Sequence, residues 1–214
     1  MILTIGNINV DIICSVPHLP KPDDKVIVSN LSIVPGGGAC NFAVGLARLG
    51  SDVSLFDHVG NDHNGKKGIE SLILENVDTT NVVVEVDVPT GFVIILVDKN
   101  GQSIKIGYRE ANELLSLKEI TTNLLNNVKI VHVSSVNAEI ALKVVKLCKK
   151  LNIISSIDLG GEMMSLSSEQ ILQAIADYSI VFMNQLGFQR AFNAPEINKV
   201  VLKKAMNKML IFLI

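Results

Sequence analysis

A glycine-rich turn ahead of a predicted helix is the first feature of the sequence that can do chemistry. Residues 35–41 read Pro-Gly-Gly-Gly-Ala-Cys-Asn, so Gly36, Gly37 and Gly38 precede Asn41. Glycines let a backbone approach a ligand closely, and a helix start presents unpaired N–H groups and a positive dipole end. Asn41, one turn into the helix, can both donate and accept hydrogen bonds. The segment matches neither a P-loop nor a dinucleotide fingerprint. A tight turn that only feeds a helix is the alternative interpretation.

Polar residues also follow several of the predicted strands. They are Asn9 and Asp11 after the first strand, Asp62 after the second, Asp158 after the strand 153–157 and Asn184 after the strand 180–183. Ligands of open α/β sheets bind in the crevice outside the carboxyl ends of the strands, and amide and carboxylate groups there can hold the hydroxyls of a polyol. The sequence therefore predicts one polar site, suited to a hydroxylated substrate and a metal-bound phosphate. The alternatives are turn formation by Asn9 and Asp11, and capping of the next helix by Asp62 or Asn64.

Short apolar runs that alternate with helical patterns must position these side chains. Strands are predicted over residues 2–5, 53–56, 130–133, 153–157, 180–183 and 209–214, the last as a buried strand. Helices are predicted over residues 39–49, 66–75, 138–151, 168–176 and 197–206. Ser167 and Gln170 have the spacing of a capping box. This alternation predicts an α/β fold with a mainly parallel, doubly wound sheet, in which His132 and Cys148 are core residues.

Two stretches break the alternation. Residues 15–34 contain three prolines and the apolar runs 25–28 and 31–34, and they are too long for a simple βα loop. Residues 82–110 include Asn100-Gly101 between apolar runs, which predicts a hairpin. We expect one small β-rich lid built from these two insertions, with residues 1–14, 35–81 and 111–214 forming the α/β core. Two unrelated surface loops are the alternative.

Composition excludes several classes of protein. The 214 residues are 48% hydrophobic and 19% charged, which argues against disorder. The formal net charge is −2, without the basic surplus of a nucleic-acid binder. The sequence contains no apolar run long enough to span a bilayer and no basic region before the first apolar run. The three scattered cysteines favour reduced thiols in the cytoplasm. The spacing of histidines and cysteines predicts no metal site.

Taken in order, the motifs resemble the ribokinase-like (PfkB) carbohydrate kinase family. The matching segments are Gly6-x-x-Asn9-x-Asp11, Gly36-Gly37-x-x-x-Asn41, Gly60-Asn61-Asp62-x-x-Gly65, Thr90-Gly91 and Arg109-x-Ala111-Asn112. The resemblance implies a ribokinase-like fold. It also implies that the γ-phosphoryl group of ATP passes to a hydroxyl of a sugar or nucleoside, with Mg²⁺ assisting. Arg109 taken alone can reach an anion or form a solvated pair with Glu110.

The resemblance also implies roles for individual residues. Asn9, Asp11, Gly36, Gly37 and Asn41 would hold the acceptor. On the nucleotide side, Asn184 matches the first residue of an Asn-x-x-Glu segment that organises Mg²⁺ and phosphate, and Asp158 lies at the same edge of the sheet.

Two departures from the family pattern limit these expectations. Gly187 stands where the Asn-x-x-Glu segment has its glutamate. The C-terminal Gly-Ala-Gly-Asp signature, which supplies the anion hole and the aspartate that activates the acceptor, has no counterpart. No catalytic residue is therefore assigned. We expect a C-terminally truncated fold that is inactive alone. The alternatives are a non-catalytic sugar- or nucleoside-binding or interaction module, and an unrelated α/β nucleotide-binding protein. A homodimer through the lid is one possible assembly, because exposed strand edges pair with partners.

Overall fold

The structure is a computed structural model that describes residues 1–194 and 210–213. The strands are β1 (Ile2–Gly6), β2 (Asn9–Ser15), β3 (Asn30–Gly36), β4 (Val53–Phe56), β5 (His58–Gly60), β6 (Val83–Glu85), β7 (Phe92–Val97), β8 (Ser103–Tyr108), β9 (Ile130–Ser134), β10 (Ile154–Leu159), β11 (Ile180–Met183) and β12 (Leu210–Leu213). The α-helices are α1 (Gly38–Arg48), α2 (His63–Leu74), α3 (Ala138–Leu151), α4 (Ser168–Ile175) and α5 (Gln185–Phe192). Short 3₁₀ helices cover Glu110–Leu114 and Gly161–Ser165. The helix predicted over 197–206 lies outside the described residues.

The predicted parallel sheet is confirmed. Six strands lie in the order β12-β11-β10-β9-β1-β4, and all neighbours run parallel. Side chains alternate across a strand, so Leu3 and Ile5 face one side, where they join the apolar cluster of α3 and α4. Val53 and Leu55, in register with Ile2 and Thr4, face the other side, where they pack with α1. Helices therefore cover both faces, as a doubly wound sheet requires.

The helix starts follow local capping chemistry. Asp62 accepts a hydrogen bond from the Gly65 N–H at 2.8 Å and caps α2, as predicted. Because of this cap the helix begins at His63, three residues earlier than the predicted start. Ser167 and Gln170 form the predicted capping box at the start of α4. No helix in residues 1–194 or 210–213 combines the length and the apolar character needed to cross a membrane.

A second, four-stranded sheet joins the two inserted stretches in the order β3-β2-β7-β8. Its central pair, β2 with β7, is parallel, and the two outer pairs are antiparallel. The predicted hairpin is confirmed, because Asp98 Oδ1 accepts hydrogen bonds from the Asn100 and Gln102 N–H groups between β7 and β8. This small sheet matches the expected β-rich lid.

Three segments differ from the prediction. Residues 9–14, assigned to the core, form most of β2 in the small sheet. The apolar run 25–28 forms no strand, because β3 begins only at Asn30, which pairs with Ser15 at the end of β2. Residues 83–85 were expected in the lid, but they pair with β5 in a separate two-stranded sheet. Buried His58 supports that pair, with Nδ1 2.7 Å from Glu85 Oε1.

The two faces of the small sheet differ in polarity. One face carries two apolar rows across the four strands: Ile33, Ile12, Ile94 and Ile106, then Leu31, Cys14, Leu96 and Ile104. Much of this open apolar face is uncovered, since Ile33 is 53% and Ile106 is 55% exposed. The opposite face is mixed: it carries Asn9, Asp11 and Lys105 together with apolar residues such as Ile13 and Ile95.

Candidate functional site

Four of the predicted acceptor residues lie together at the start of β2 and the end of β3, which pair in the small sheet. Asn9 pairs with Gly36 across the two strands. The Asp11 carboxylate lies against Gly36, where an added Cβ would be 2.3 Å from Asp11 Oδ2. Gly37 has φ +105°, and a Cβ there would lie 2.2 Å from the Asn7 carbonyl oxygen. Glycine is therefore needed at Gly37, whereas a side chain at Gly36 would displace the Asp11 carboxylate. We call Asn9, Asp11, Gly36 and Gly37 the polar cradle.

The electrostatics of the cradle suit a polar ligand. Burial raises the pKa of Asp11, and the nearby Lys105 ammonium partly offsets this. Asn9 is buried, and its Oδ1 atom has no hydrogen-bond partner within the described structure. A buried acceptor without a partner is costly, so Asn9 favours a ligand that donates a hydrogen bond.

Asn41 lies one turn into α1 and is exposed. The start of that helix is fixed by Asn7, whose Oδ1 accepts a hydrogen bond from the Gly38 N–H at 3.0 Å. The structure thus places Asn41 on the same helix start as Gly37. Its predicted role in acceptor binding stays a prediction.

The other two predicted residues lie at the carboxyl ends of β10 and β11. Asp158 accepts one long hydrogen bond, 3.5 Å, from Ser134 Oγ. Burial raises the pKa of this carboxyl, and the Ser134 hydrogen bond partly offsets that effect. Asn184 Oδ1 accepts a hydrogen bond from the Gly187 N–H at 2.8 Å, so it caps α5. An added Cβ at Gly187 would make only ordinary contacts, the nearest at 3.4 Å.

Sequence reasoning missed a buried carboxyl group beside the cradle. Asp57 is 1% exposed, and its Oδ2 accepts hydrogen bonds from the Ile8 N–H at 2.8 Å and from Asn112 Nδ2 at 2.7 Å. Its Oδ1 has no partner within the described structure. Burial raises the pKa of Asp57 to about 8, against the opposing effect of its hydrogen bonds and of Arg109. Asp57 directly follows the predicted strand 53–56, so the rule that selected Asp158 would also have selected it.

A second polar link connects the core to the small sheet. Asp62 Oδ1 accepts a hydrogen bond from Thr90 Oγ1 at 2.7 Å, and its Oδ2 accepts one from the Thr90 N–H at 2.9 Å. Thr90 Oγ1 in turn accepts the Gly60 N–H at 2.9 Å. Although burial opposes ionisation, the hydrogen bonds from Gly65 and Thr90 prevail and lower the pKa of Asp62. The chain is therefore anchored two residues before β7 begins.

A cavity of about 230 Å³ opens beside the cradle. Its polar walls come from Asn7 after β1, from Asp57, Arg109 and Asn112, and from Ser135 and Asn137 between β9 and α3. Arg109 Nη2 donates a hydrogen bond to the Ser135 carbonyl oxygen at 2.9 Å, which holds the guanidinium against the wall. Polar groups from β1, β4 and β9 therefore meet at the carboxyl edge of the large sheet.

His132 and Cys148 are buried core residues, as predicted. The His132 ring stacks on Phe42 of α1, with ring centroids 3.5 Å apart, and burial lowers its pKa to about 3. His132 is therefore neutral and belongs to the packing of α1 on the sheet.

Comparison with known proteins identifies the family. The profile described as "pfkB family carbohydrate kinase" matches residues 1–212 of the chain. The chain belongs to the pfkB family of carbohydrate kinases. A similar pfkB-family relative is the "ATP-dependent ribose-1-phosphate kinase" of Halopiger xanaduensis, 27% identical over 183 residues. That match covers 86% of this chain and 61% of the relative, so the chain spans about three fifths of that relative's length.

Solved structures of ribokinase-like proteins share the fold. Arabidopsis thaliana ribokinase complexed with ribose and ATP aligns with a TM-score of 0.80 at 21% identity, covering 99% of this chain and 70% of the other. Burkholderia thailandensis nucleoside kinase in complex with inosine aligns with a TM-score of 0.83 at 14% identity, covering 100% of this chain and 69% of the other. The pfkB-family chain therefore has the ribokinase-like fold.

Proposed function

We propose that the protein binds a sugar or nucleoside in the polar cradle and serves an ATP-dependent kinase reaction. A bond to the γ-phosphorus of ATP breaks to release ADP, a new bond forms to an acceptor hydroxyl oxygen, and the hydroxyl proton leaves to a base. The observation that carries the proposal is the cradle itself. Asp11 and the unpartnered Oδ1 of Asn9 present acceptors for hydroxyl groups, and Gly36 lets the Asp11 carboxylate lie against the backbone.

We propose that Asp158 and Asn184 serve the phosphate side of this reaction. Mg²⁺ in phosphotransfer sites is held by one or two carboxylates together with substrate phosphates. Asp158 supplies one carboxylate at the correct edge of the sheet, and Asn184 an amide at the next strand. Residues 1–194 and 210–213 contain no group of three or more His, Cys, Asp or Glu suited to a metal. One carboxylate and one amide are oxygen ligands that fit a magnesium ion held together with substrate phosphates.

Asp11→Ala tests acceptor binding. The melting temperature of the wild-type chain is measured with and without D-ribose and, separately, adenosine. We expect stabilisation by at least one of the two, and we expect Asp11→Ala to abolish it. Asp177→Ala is the matched control, because Asp177 is an exposed carboxylate paired with Lys149 far from the cradle. Unchanged stabilisation in Asp11→Ala would remove Asp11 from the site. The absence of stabilisation by any sugar or nucleoside would reject the proposal.

A non-catalytic binding role is the second candidate function. It is favoured by Gly187, which stands at the position of the family's glutamate. We propose that these 214 residues alone bind the acceptor without turnover. ADP release is followed in the presence of the acceptor that stabilises the chain. ADP release above the background of an Asp11→Ala sample would show that the chain is active and would reject this candidate.

We further propose that the open apolar face of the small sheet forms a homodimer. Exposed apolar patches of this kind mark protein interfaces. Sedimentation should give a dimer for the wild-type chain and a monomer for the Ile33→Glu, Ile106→Glu double variant. Ile27→Glu is the control, because Ile27 is 71% exposed but lies outside the sheet. A monomeric wild-type chain would contradict the proposal.

A cytoplasmic location, expected from the three cysteines, also remains a proposal and agrees with their being free and buried.

A further inference from the structure

The sequence contains two Asn-Gly pairs, Asn64-Gly65 and Asn100-Gly101. In such a pair the backbone nitrogen of the glycine can attack Cγ of the asparagine side chain, because no Cβ on the glycine hinders the approach. The attack closes a succinimide ring, so it needs a backbone that is free to turn. Since the two pairs have the same covalent chemistry, the fold decides which of them can react.

The pair Asn100-Gly101 lies at the exposed tip of the hairpin between β7 and β8. The Asp98 N–H donates to the Gln102 carbonyl oxygen at 3.0 Å, and the Gly101 N–H donates to the Asp98 carbonyl oxygen at 3.0 Å. Gly101 has φ +78°, as the glycine of a three-residue hairpin loop commonly has. An added Cβ there would meet nothing within 4 Å. The Gly101 nitrogen is therefore held by an exposed turn hydrogen bond, which opens at little cost in free energy.

The pair Asn64-Gly65 is restrained in the first turn of α2. Gly65 is buried, and its N–H donates to Asp62 Oδ1 at 2.8 Å. An added Cβ at Gly65 would lie 2.1 Å from the Gly60 carbonyl oxygen and 2.8 Å from Thr90 Oγ1, so the backbone has little room to turn. The start of α2 must therefore open before the Gly65 nitrogen can reach the Asn64 side chain.

We propose that Asn100 is a modification site that deamidates spontaneously in the folded protein, whereas Asn64 is protected. A base in the solvent takes the Gly101 amide proton, and the nitrogen forms a bond to Asn100 Cγ. The bond between Cγ and Nδ2 breaks, and Nδ2 leaves as ammonia with a proton from the solvent. Water then opens the succinimide: cleavage of the new bond to Cγ gives aspartate, and cleavage of the bond to the main-chain carbonyl carbon gives isoaspartate.

Both products change the turn between β7 and β8. Asn100 Nδ2 lies 3.4 Å from Asp98 Oδ2, so a carboxylate at residue 100 places like charges side by side. Isoaspartate also adds a carbon atom to the main chain, in a turn where Asp98 Oδ1 accepts hydrogen bonds from the Asn100 and Gln102 N–H groups. The modification therefore weakens the pairing of β8, an exposed strand that carries Lys105, whose charge favours the ionised form of Asp11.

Peptide mapping by mass spectrometry tests the inference. The folded 214-residue chain is kept at mildly alkaline pH for several days, and the acid forms of residues 64 and 100 are quantified over time. We expect Asn100 to convert to aspartate and isoaspartate at least about tenfold faster than Asn64, because a local opening of α2 that costs about 1.4 kcal/mol or more suppresses the reaction by that factor. In the chain unfolded in urea, the two rates should become similar.

Gly101→Asn is the matched variant. Asparagine tolerates positive φ, so the turn is kept, while its Cβ hinders the attacking nitrogen, and conversion of Asn100 should largely disappear. Gly107→Ala in β8 is the control, because a Cβ there meets nothing within 4 Å, and it should leave the conversion unchanged.

Three results would overturn the inference. The first is an Asn100 that stays intact in the folded chain or converts no faster than Asn64. The second is a difference of the same size in urea, since it would then come from the neighbouring residues and not from the fold. The third is undiminished conversion of Asn100 in Gly101→Asn.

Discussion

The carboxyl edge of the large sheet has two halves that are built very differently. In the β1–β4 half, Asp57 accepts two short hydrogen bonds and Asp62 accepts three, and every donor comes from a different segment or from a helix start. In the β10–β11 half, Asp158 accepts one hydrogen bond of 3.5 Å and Asn184 serves as a helix cap. The first half is held in shape by its own hydrogen-bond network, as pre-organised sites are. In the second half, the Asp158 carboxyl accepts only one long hydrogen bond among the described residues.

The largest expected effect is a pH dependence that belongs to Asp57. Because its pKa rises from 3.8 in the unfolded chain to about 8 in the folded one, the folded state keeps a proton that the unfolded state loses. The stability that this proton contributes is lost as pH rises from about 4 to about 8, by up to ~1.4 kcal/mol per pH unit. Asp57→Asn keeps the shape and removes this slope. Chemical denaturation should show that the free energy of unfolding of the variant, relative to that of the wild type, is higher at about pH 8 than at about pH 5. The same difference at both pH values would contradict the prediction.

Thr90→Val breaks the link between Asp62 and the small sheet. The variant keeps the volume but loses the hydroxyl that donates to Asp62 and accepts from the Gly60 N–H. Because the Thr90 hydroxyl and the Gly60 N–H are buried, we expect a loss of about 2–3 kcal/mol in the free energy of unfolding, measured in guanidinium chloride. Thr80→Val is the control, since Thr80 is exposed, and it should stay within about 0.5 kcal/mol. Equal losses in both variants would mean that the link is not specific.

Gly36→Ala probes the cradle directly. An added methyl group would lie 2.3 Å from Asp11 Oδ2, so the carboxylate must move. We expect a loss of about 1–2 kcal/mol in stability and a smaller thermal shift with the acceptor. Gly107→Ala in β8 is the matched control, because a Cβ there meets nothing within 4 Å. Calorimetric melts with and without ligand measure both effects, and an unaltered ligand shift in Gly36→Ala would place the acceptor elsewhere.

Asp158→Asn should have the smallest effect on stability. The carboxyl accepts one long hydrogen bond, and burial already disfavours its charged form. We expect a change within about 0.5 kcal/mol, against more than about 1 kcal/mol for Asp62→Asn, which cannot accept all three hydrogen bonds. Urea unfolding of the two variants makes the comparison. If Asp158→Asn proved the more damaging, the β10–β11 half would be the more tightly held of the two.

The large sheet could be predicted from the sequence because its physics is local. Parallel strands buried on both faces appear as continuous apolar runs, and 180–183 was predicted to the residue. The small sheet was harder. Asn9-Val10-Asp11 has the composition of a loop, and its strand conformation depends on partners at 34–36 and 92–93 that are distant in sequence. Residues 83–85 have the pattern of a lid strand. Their pairing with β5 is decided by tertiary packing, which the local sequence does not show.

The candidate site shows the same division. The residues of the polar cradle were found because strand ends and glycine turns are visible in the sequence, and their roles remain predictions. Asp57 follows a predicted strand yet was overlooked, and its two partners, Ile8 and Asn112, lie far away along the chain. Burial and partnership, which give that carboxyl its unusual pKa, exist only after folding.

The parallel pairing of β2 with β7 also sets an order of events during synthesis. It joins residue 10 to residue 92, so the loop between them must close before the pair gains any hydrogen bonds, and such distant pairings form slowly. As the chain leaves the ribosome from its N-terminus, the β2–β3 hairpin emerges long before β7. Until β7 is synthesised, the edge of β2 stays unpaired. Unpaired edges of this kind make folding intermediates prone to aggregation. The yield of folded protein should therefore depend on chaperone capacity more strongly than the stability of the finished fold would suggest.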